Sequence, residues 1–348
     1  MNIIKDGLTF DDVLLVPQHS EIGSRSKIDV SVNLREFKFS NPIIPANMKT
    51  VCDVKMAEFI AFNGGLAILH RFMPIEEQYE ACYHLSNLFG LPYKKNGNAF
   101  GVSVGVKNED KEAVLKFLNL GVKIVCIDIA HGDSTQCIEM IKYIKRNAPS
   151  MLIIAGNVAT GEAATRLWNA GANVVKVGVG PGSLCTTRVE TGNGVPQLTA
   201  LMDVAEARSN MMRDDKNRGY NYQIIADGGI KSAGDIVKAL CFADMVMAGN
   251  LFAGCDEAPG NILNVNGRTY KEYVGSSTHK TNHIEGVAAM VPYKGPVSGV
   301  LTKLIEGLQS GCSYQGCSRL AELRDNPQFI KISNSGLVES HPHDVTRI

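Results

Sequence analysis

Neither sign of charge is in excess in this chain: 35 Lys and Arg stand against 35 Asp and Glu. Without a net field to gather polyanions, binding to nucleic acid or to an anionic membrane surface is not expected. No apolar run approaches the roughly 18 to 20 residues that a bilayer requires. The opening segment MNIIKDGLTFDDVLLVPQHS lacks the charged-then-apolar order of a secretory signal. No CxxC pair occurs among the nine cysteines, and Cys312 and Cys317 have no second pair at zinc spacing. That leaves reduced thiols in the cytoplasm as the simplest reading. Sustained repeats and low-complexity tracts are missing too.

What is present is alternation. Short apolar runs rich in Val and Ile recur at 42–48, 66–70, 99–105, 123–130, 152–158, 173–180, 222–229 and 244–250. Runs apolar on both faces are the mark of buried parallel strands. Between them lie segments such as EDKEAVLKFLNLG and GEAATRLWNAG, with apolar residues three or four apart and a closing glycine, which predict amphipathic helices. Eight such alternations in 348 residues predict an α/β fold, a (β/α)8 TIM barrel. An open doubly wound sheet is the alternative. The whole of 1–348 reads as one catalytic domain, with a flap region at about 261–300 and a tail at about 330–348. Residues 87–98 and 261–300 are the clearest interruptions, the latter too long for a simple βα loop.

In such barrels chemistry sits at the C-terminal ends of the strands. Those ends carry Asn47 and Met48, His70 and Arg71, Asp128 and His131, Asn157, then GVGPGSLCTTR (178–188), DGG (227–229) and Gly249–Asn250. Cys185 therefore falls in a Gly/Ser/Thr/Arg loop at the barrel mouth, where a thiolate can be exposed and stabilised. The other eight cysteines read as inert. The late-strand glycines can cradle a phosphate with bare amides, while a nearby carboxylate takes ribose hydroxyls.

Together LTFDDVLLVP (8–17), PANMKTV (45–51), DIAHG (128–132), GNVAT (156–160), KVGVGPGSLCTTR (176–188), ADGGIKSAGDI (226–236), FAGCDEAPG (252–260) and VPYKG (291–295) resemble the IMP dehydrogenase/GMP reductase family along almost the whole chain. The resemblance implies a homotetramer of barrels binding a purine 5′-monophosphate (GMP or IMP), a nicotinamide cofactor, and a covalent adduct between Cys185 and purine C2. Many dehydrogenases also insert a regulatory CBS module after the second strand; residues 71–98 leave no room for one. Dehydrogenases activate water with an Arg–Tyr pair on the flap. Here the flap reads THKTNHI (278–284), and no arginine occurs from 269 to 318.

The resemblance therefore favours GMP reductase, with NADPH as cofactor and Cys185, Thr187 and Glu285 as catalytic residues. It implies substrate contacts at Met48, Ser183, Asp227, Gly228, Gly229, Gly249, Tyr273, Gly275, Ser276, Ser277 and Gly286, with Asn250 where Ser is usual. Cofactor contacts are implied at Arg71, Asp128, Ala130 and Asn157 for the nicotinamide end. Ser24, Arg25, Ser313, Tyr314 and Gly316 are implied for the adenosine end. A potassium ion is implied on the carbonyls of Gly180, Gly182 and Cys185, completed by Glu339, Ser340 and His341 of a neighbouring subunit. Two alternatives stand beside this: an NAD-dependent IMP dehydrogenase using His279 or His283, and a nucleotide-binding regulator with little turnover.

Overall fold

The computed structural model describes residues 5–90, 99–213, 222–275, 287–343 and 345. All eight apolar runs form strands: β1 (Ile43–Pro45), β2 (Ala67–Leu69), β3 (Phe100–Val104), β4 (Ile124–Asp128), β5 (Leu152–Val158), β6 (Val174–Val177), β7 (Gln223–Asp227) and β8 (Met245–Ala248). Every hydrogen-bonded pair among them is parallel, in the spatial order β1-β8-β7-β6-β5-β4-β3-β2. Strands β1 and β2 then lie side by side and complete the cylinder. The chain is a (β/α)8 barrel.

Crossover helices cover the outside: α1 (Val54–Phe62), α2 (Ile75–Phe89), α3 (Asn108–Asn119), α4 (Thr135–Asn147), α5 (Gly161–Ala170), α6 (Gln197–Arg213), α7 (Ala233–Leu240) and α8 (Val297–Tyr314). Their starts are chemically marked. Thr160 accepts the Ala163 amide at α5 and Ser232 the Asp235 amide at α7, satisfying amides that have no partner in the helix. Among the described residues no helix is long and apolar enough to cross a membrane.

Strand residues are buried throughout, with three exceptions: Asp128, Asn157 and Asp227, each at or near a strand's C-terminal end. Apolar burial of this kind, at about 1.5–3 kcal/mol per large side chain, drives closure of the barrel. The opposite end is stoppered by a hairpin, Val32–Leu34 with Phe37–Phe39, which buries Leu34 and Phe39 completely. Its Arg35 amide donates to the Gln223 side chain at the start of β7, 3.1 Å away. The C-terminal rim is thus the end left open for a ligand.

The interruption at 87–98 begins later than the sequence reading placed it, because α2 runs on to Phe89 and ends on the left-handed Gly90; residues 91–98 lie outside the described set. The described parts of the 261–300 region are more than a simple loop. It contributes an antiparallel sheet of β9 (Ile262–Val265), β10 (Arg268–Val274) and β11 (Ala288–Pro292). The β9–β10 turn is Asn266–Gly267, both with positive φ, an Asn-Gly hairpin signal that was present in the sequence.

Candidate active site

The loop after β6 is shaped by its glycines. Gly178 has φ +152° and lies so close to the Asp227 carbonyl that a Cβ would come within 1.9 Å of it, so no other residue fits. The Cys185 amide donates to the Gly182 carbonyl at 3.0 Å, turning the chain so that the thiol faces the barrel mouth. The Thr186 carbonyl then accepts the amides of Val189 and Glu190, starting the short helix Thr187–Thr191. Arg188 reaches back across the loop to the carbonyls of Val195 (2.7 Å) and Val179 (3.4 Å). The base of the β10–β11 hairpin is tied to the same loop: the Val287 amide donates to the Leu184 carbonyl at 3.2 Å.

Cys185 alone among the nine cysteines is not buried, and its sulfur lies 3.1 Å from the Thr187 hydroxyl oxygen. Burial pushes the other thiols up, to about 12 for Cys52, Cys137, Cys241 and Cys312 and to about 11 for Cys255, so they remain inert thiols.

Two adjoining cavities of about 310 and 470 Å³ open at this rim and share Met48, Ser183, Asp227, Gly228 and Tyr273. The first is also lined by Arg71, Asp128, Ala130, Asn157, Gly180, Gly182, Cys185, Thr187 and Gly275. The second extends to Gly229, Gly249 and Asn250. Gly249 lies close against Tyr273: a Cβ there would come within 2.3 Å of the Tyr273 hydroxyl, so a larger residue would displace that side chain. Burial pushes the Tyr273 phenol above its ordinary value, so it serves as a neutral hydroxyl.

The floor of the first cavity holds a charged cluster. Lys176, on β6 and 2% exposed, places its ammonium 3.0 Å from an Asp128 oxygen and 2.6 Å from an Asp227 oxygen, and also donates to the Asn157 side-chain oxygen. Asn157 in turn donates to Asp227 at 2.9 Å and to the Gly178 carbonyl at 2.7 Å. The Arg71 Nε donates to the Asp128 carbonyl at 2.7 Å, and its guanidinium lies over the Phe72 ring. Burial pushes the Asp128 carboxyl up, but Lys176 and Arg71 more than reverse this and hold it below the ordinary carboxylate range. Burial likewise pulls the Lys176 ammonium down, and Asp128 and Asp227 outweigh it. Nothing in the sequence around Lys176 points to its two carboxylate partners, although a lysine inside a run apolar on both faces needs a counter-charge. The signal that could have found it is its position two residues before the glycine loop.

Seventeen of the predicted site residues thus line one cleft. Glu285, Ser276, Ser277 and Gly286 lie outside the described residues, as do His279 and His283. The adenosine-end residues are brought together, but elsewhere. The Arg25 guanidinium lies 5.5 Å from the centre of the Tyr314 ring, and Gly316 packs against the His19 carbonyl. Helix α8 runs parallel to α7, since Gly307 abuts Ala233 and Gly311 abuts Val237. Helix α7 descends from the rim, so Tyr314 at the far end of α8 sits on the opposite face of the barrel from Cys185. An 18-residue helix is about 27 Å long, which sets the scale of that separation.

Glu339, Ser340 and His341 lie exposed at and just beyond the short helix Asn334–Glu339. No group of three or more His, Cys, Asp or Glu side chains among the described residues is arranged to hold a metal. Carbonyl oxygens are available instead. Those of Gly180 and Cys185 accept no hydrogen bond from a described residue, and that of Gly182 accepts one. Such hard oxygens, clustered at a tight turn, fit a weakly hydrated cation better than a zinc ion.

Residues 7–343 match the family model described as IMP dehydrogenase / GMP reductase domain. The chain is 40% identical to the GMP reductase of Bacillus subtilis over 339 residues, covering 94% of this chain and 96% of that protein. It is also 40% identical to the GMP reductase of Clostridium acetobutylicum over 335 residues, with the same coverage. The inosine-5′-monophosphate dehydrogenase of Borreliella burgdorferi is 37% identical over 409 residues, covering 99% of both chains.

Proposed function

Because this chain belongs to the IMP dehydrogenase / GMP reductase family, we propose that it is a GMP reductase, converting GMP to IMP and ammonia at the expense of NADPH. The observation that carries the reading is Cys185, the one unburied cysteine, 3.1 Å from Thr187 in a cleft also lined by Asp227, Gly228 and Gly229. The lack of any arginine from 269 to 318 favours the reductase over the dehydrogenase, whose water activation needs one.

In the mechanism, the 5′-phosphate rests on backbone amides of Gly229, Gly249 and Asn250, and Asp227 accepts ribose hydroxyls. That places C2 of the purine over Cys185, an entropic advantage paid in binding. The thiolate adds to C2. Thr187 and Glu285 deliver protons to the 2-amino group, which departs as ammonia, while the C–S bond is kept. Such proton delivery is worth about 10²–10⁴ in rate. A bound nicotinamide cofactor supplies hydride to C2. The C–S bond then breaks, its electron pair returns to Cys185, and IMP leaves. One GMP, one NADPH and two protons become IMP, ammonium and NADP⁺.

Arg71, Asp128, Ala130 and Asn157 line the place for the nicotinamide end. The Arg25–Tyr314 pair offers a guanidinium and a ring to the adenosine end, and it faces away from its own cleft, so a neighbouring copy in a homotetramer presents it. Gly180, Gly182 and Cys185 carbonyls would hold a potassium ion with Glu339, Ser340 and His341 of that neighbour, bracing the loop. Nine unpaired cysteines suit the reducing cytoplasm.

A second reading, IMP dehydrogenase, is favoured by the end-to-end match to the Borreliella burgdorferi protein. One assay separates them: purified protein with GMP and NADPH, or with IMP and NAD, followed by absorbance of the reduced cofactor. Loss of signal with GMP is expected. A gain with IMP would replace the proposal by the dehydrogenase, and silence in both would leave a nucleotide-binding regulator.

A further inference from the structure

Lys176 stands at a junction the mechanism above does not use. Asp128 ends β4 and Asp227 ends β7, three strands apart around the barrel, and both carboxylates converge on one ammonium rising from β6 between them. Arg71 adds a second positive charge beside Asp128, with its Nε 4.0 Å from a carboxylate oxygen. Two positive and two negative groups therefore make the cleft floor electrically neutral. Asp128 and Asp227 each keep only a partly exposed edge toward the cavity, whereas Lys176 is almost wholly enclosed.

We propose that Lys176 is a charge-balancing positioning residue that sets the relative affinity of the cleft for the reduced and oxidised forms of a nicotinamide dinucleotide. This rests on the reading that the nicotinamide ring lies over Asp128. The two cofactor forms share every phosphate, ribose and base; they differ at the ring, which is neutral when reduced and carries one positive charge when oxidised. In a site shielded from water, a full charge a few ångströms from the ring is felt strongly. A floor with Asp128 and Asp227 but no Lys176 would be net negative and would hold the oxidised product in preference to the reduced reactant. With Lys176 in place the floor is neutral and the reduced form can compete. A lysine that merely tied strands together would, on removal, weaken both forms alike.

The ratio of dissociation constants, Kd for NADPH over Kd for NADP⁺, therefore isolates the effect. It is measured by titration without nucleotide, so no turnover is involved. Lys176→Gln is expected to raise the ratio about tenfold or more, toward the oxidised form. Asp227→Asn, which leaves the floor net positive, is expected to lower it by a similar factor. The double variant, neutral again, is expected to return to within about threefold of the parent, and Lys176→Arg to resemble the parent. Should Lys176→Gln fail to fold, Asp227→Asn alone decides. A ratio unmoved by either charge change, with both forms still binding the parent, overturns the inference and leaves the functional reading intact. A folded parent that binds neither form overturns both.

Discussion

Among the described residues a buried charged cluster lies at each end of the barrel, and the pair is built on opposite plans. At the closed end Asp244, just before β8, accepts from Arg208 (3.1 Å), from the Ile224 amide (2.8 Å) and from Arg324 (3.2 Å). The two arginines spend further donors on the carbonyls of Phe242 and Ala243. Every strong partner there is supplied by the protein, and the cluster faces no cavity described above. At the open end Lys176, Asp128, Asp227 and Asn157 also bond to one another, yet the two carboxylates and the amide remain partly exposed to a cavity. Kinds of residue do not separate a structural cluster from a functional one. What separates them is whether the bonding is closed.

The comparison can be broken most sharply at the open end. Cys185→Ala is expected to lower GMP-dependent oxidation of NADPH by at least about 10⁴-fold, because no other group in the cleft can form the adduct. Nucleotide affinity should stay within about twofold, and stability within about 0.5 kcal/mol, since the thiol is only half-buried. Residual turnover near the parent rate in steady-state assays would eliminate the covalent scheme.

The closed end should respond the other way round. Asp244→Ala strips both arginines of their counter-charge and leaves the Ile224 amide unpaired, which should cost about 3 kcal/mol or more in urea unfolding. Turnover per folded molecule should be unchanged. A stable variant with impaired kcat would mean that the two clusters are coupled through the barrel and that closed bonding is no guide to role.

Most of the architecture is legible in the sequence. The eight strands announced themselves because parallel strands buried on both faces have nowhere to put polar residues. Cys185 was legible for the converse reason: GPGSLCTTR is too polar and too glycine-rich to be core. What was hidden depends on distance in sequence. Lys176 acquires meaning from Asp128 and Asp227, and Arg208 from Asp244 and Arg324; no local pattern links such residues. The direction of α8 was hidden too. Ser313, Tyr314 and Gly316 could be associated with Ser24 and Arg25 by resemblance, but only the packing of Gly307 on Ala233 and Gly311 on Val237 shows that they face away from the cleft. The β9–β10 hairpin, by contrast, is readable from Asn266–Gly267, a pair that favours the two positive φ angles its turn adopts.

A smaller effect sharpens the comparison at the open rim, where His70 is buried without any counter-charge. Burial, reinforced by the nearby Lys49, pulls its pKa from 6.5 to about 4, and its Nδ1 accepts the Phe72 amide at 3.1 Å. The unfolded chain therefore binds this proton more tightly than the folded one. The stabilisation is fully present above pH 6.5 and is lost as the pH falls toward 4, on the order of 3 kcal/mol in all. His70→Asn keeps an acceptor for Phe72 but cannot titrate, so its stability should fall less steeply across that window. Parallel pH profiles of urea midpoints for parent and variant would show that His70 is not the titrating group.

The smallest effect concerns the patch at the closed end. If Arg25 and Tyr314 serve the cofactor held in a neighbour's cleft, Arg25→Ala should raise the KM for NADPH about tenfold and leave kcat alone, because the guanidinium binds reactant and transition state equally. The same change should hardly affect NADH, which lacks the 2′-phosphate that a guanidinium would favour. On that premise the patch and the thiol of any one site belong to different chains, and each variant damages a different half. Assemblies co-expressed from Arg25→Ala and Cys185→Ala chains must then contain some sites with an intact thiol from one chain and an intact patch from the other. Those sites should restore turnover at low NADPH concentration, which neither variant shows alone. Failure of complementation in assemblies shown to be mixed would place the cofactor wholly within one chain and leave the Arg25–Tyr314 pair a surface contact of its own chain.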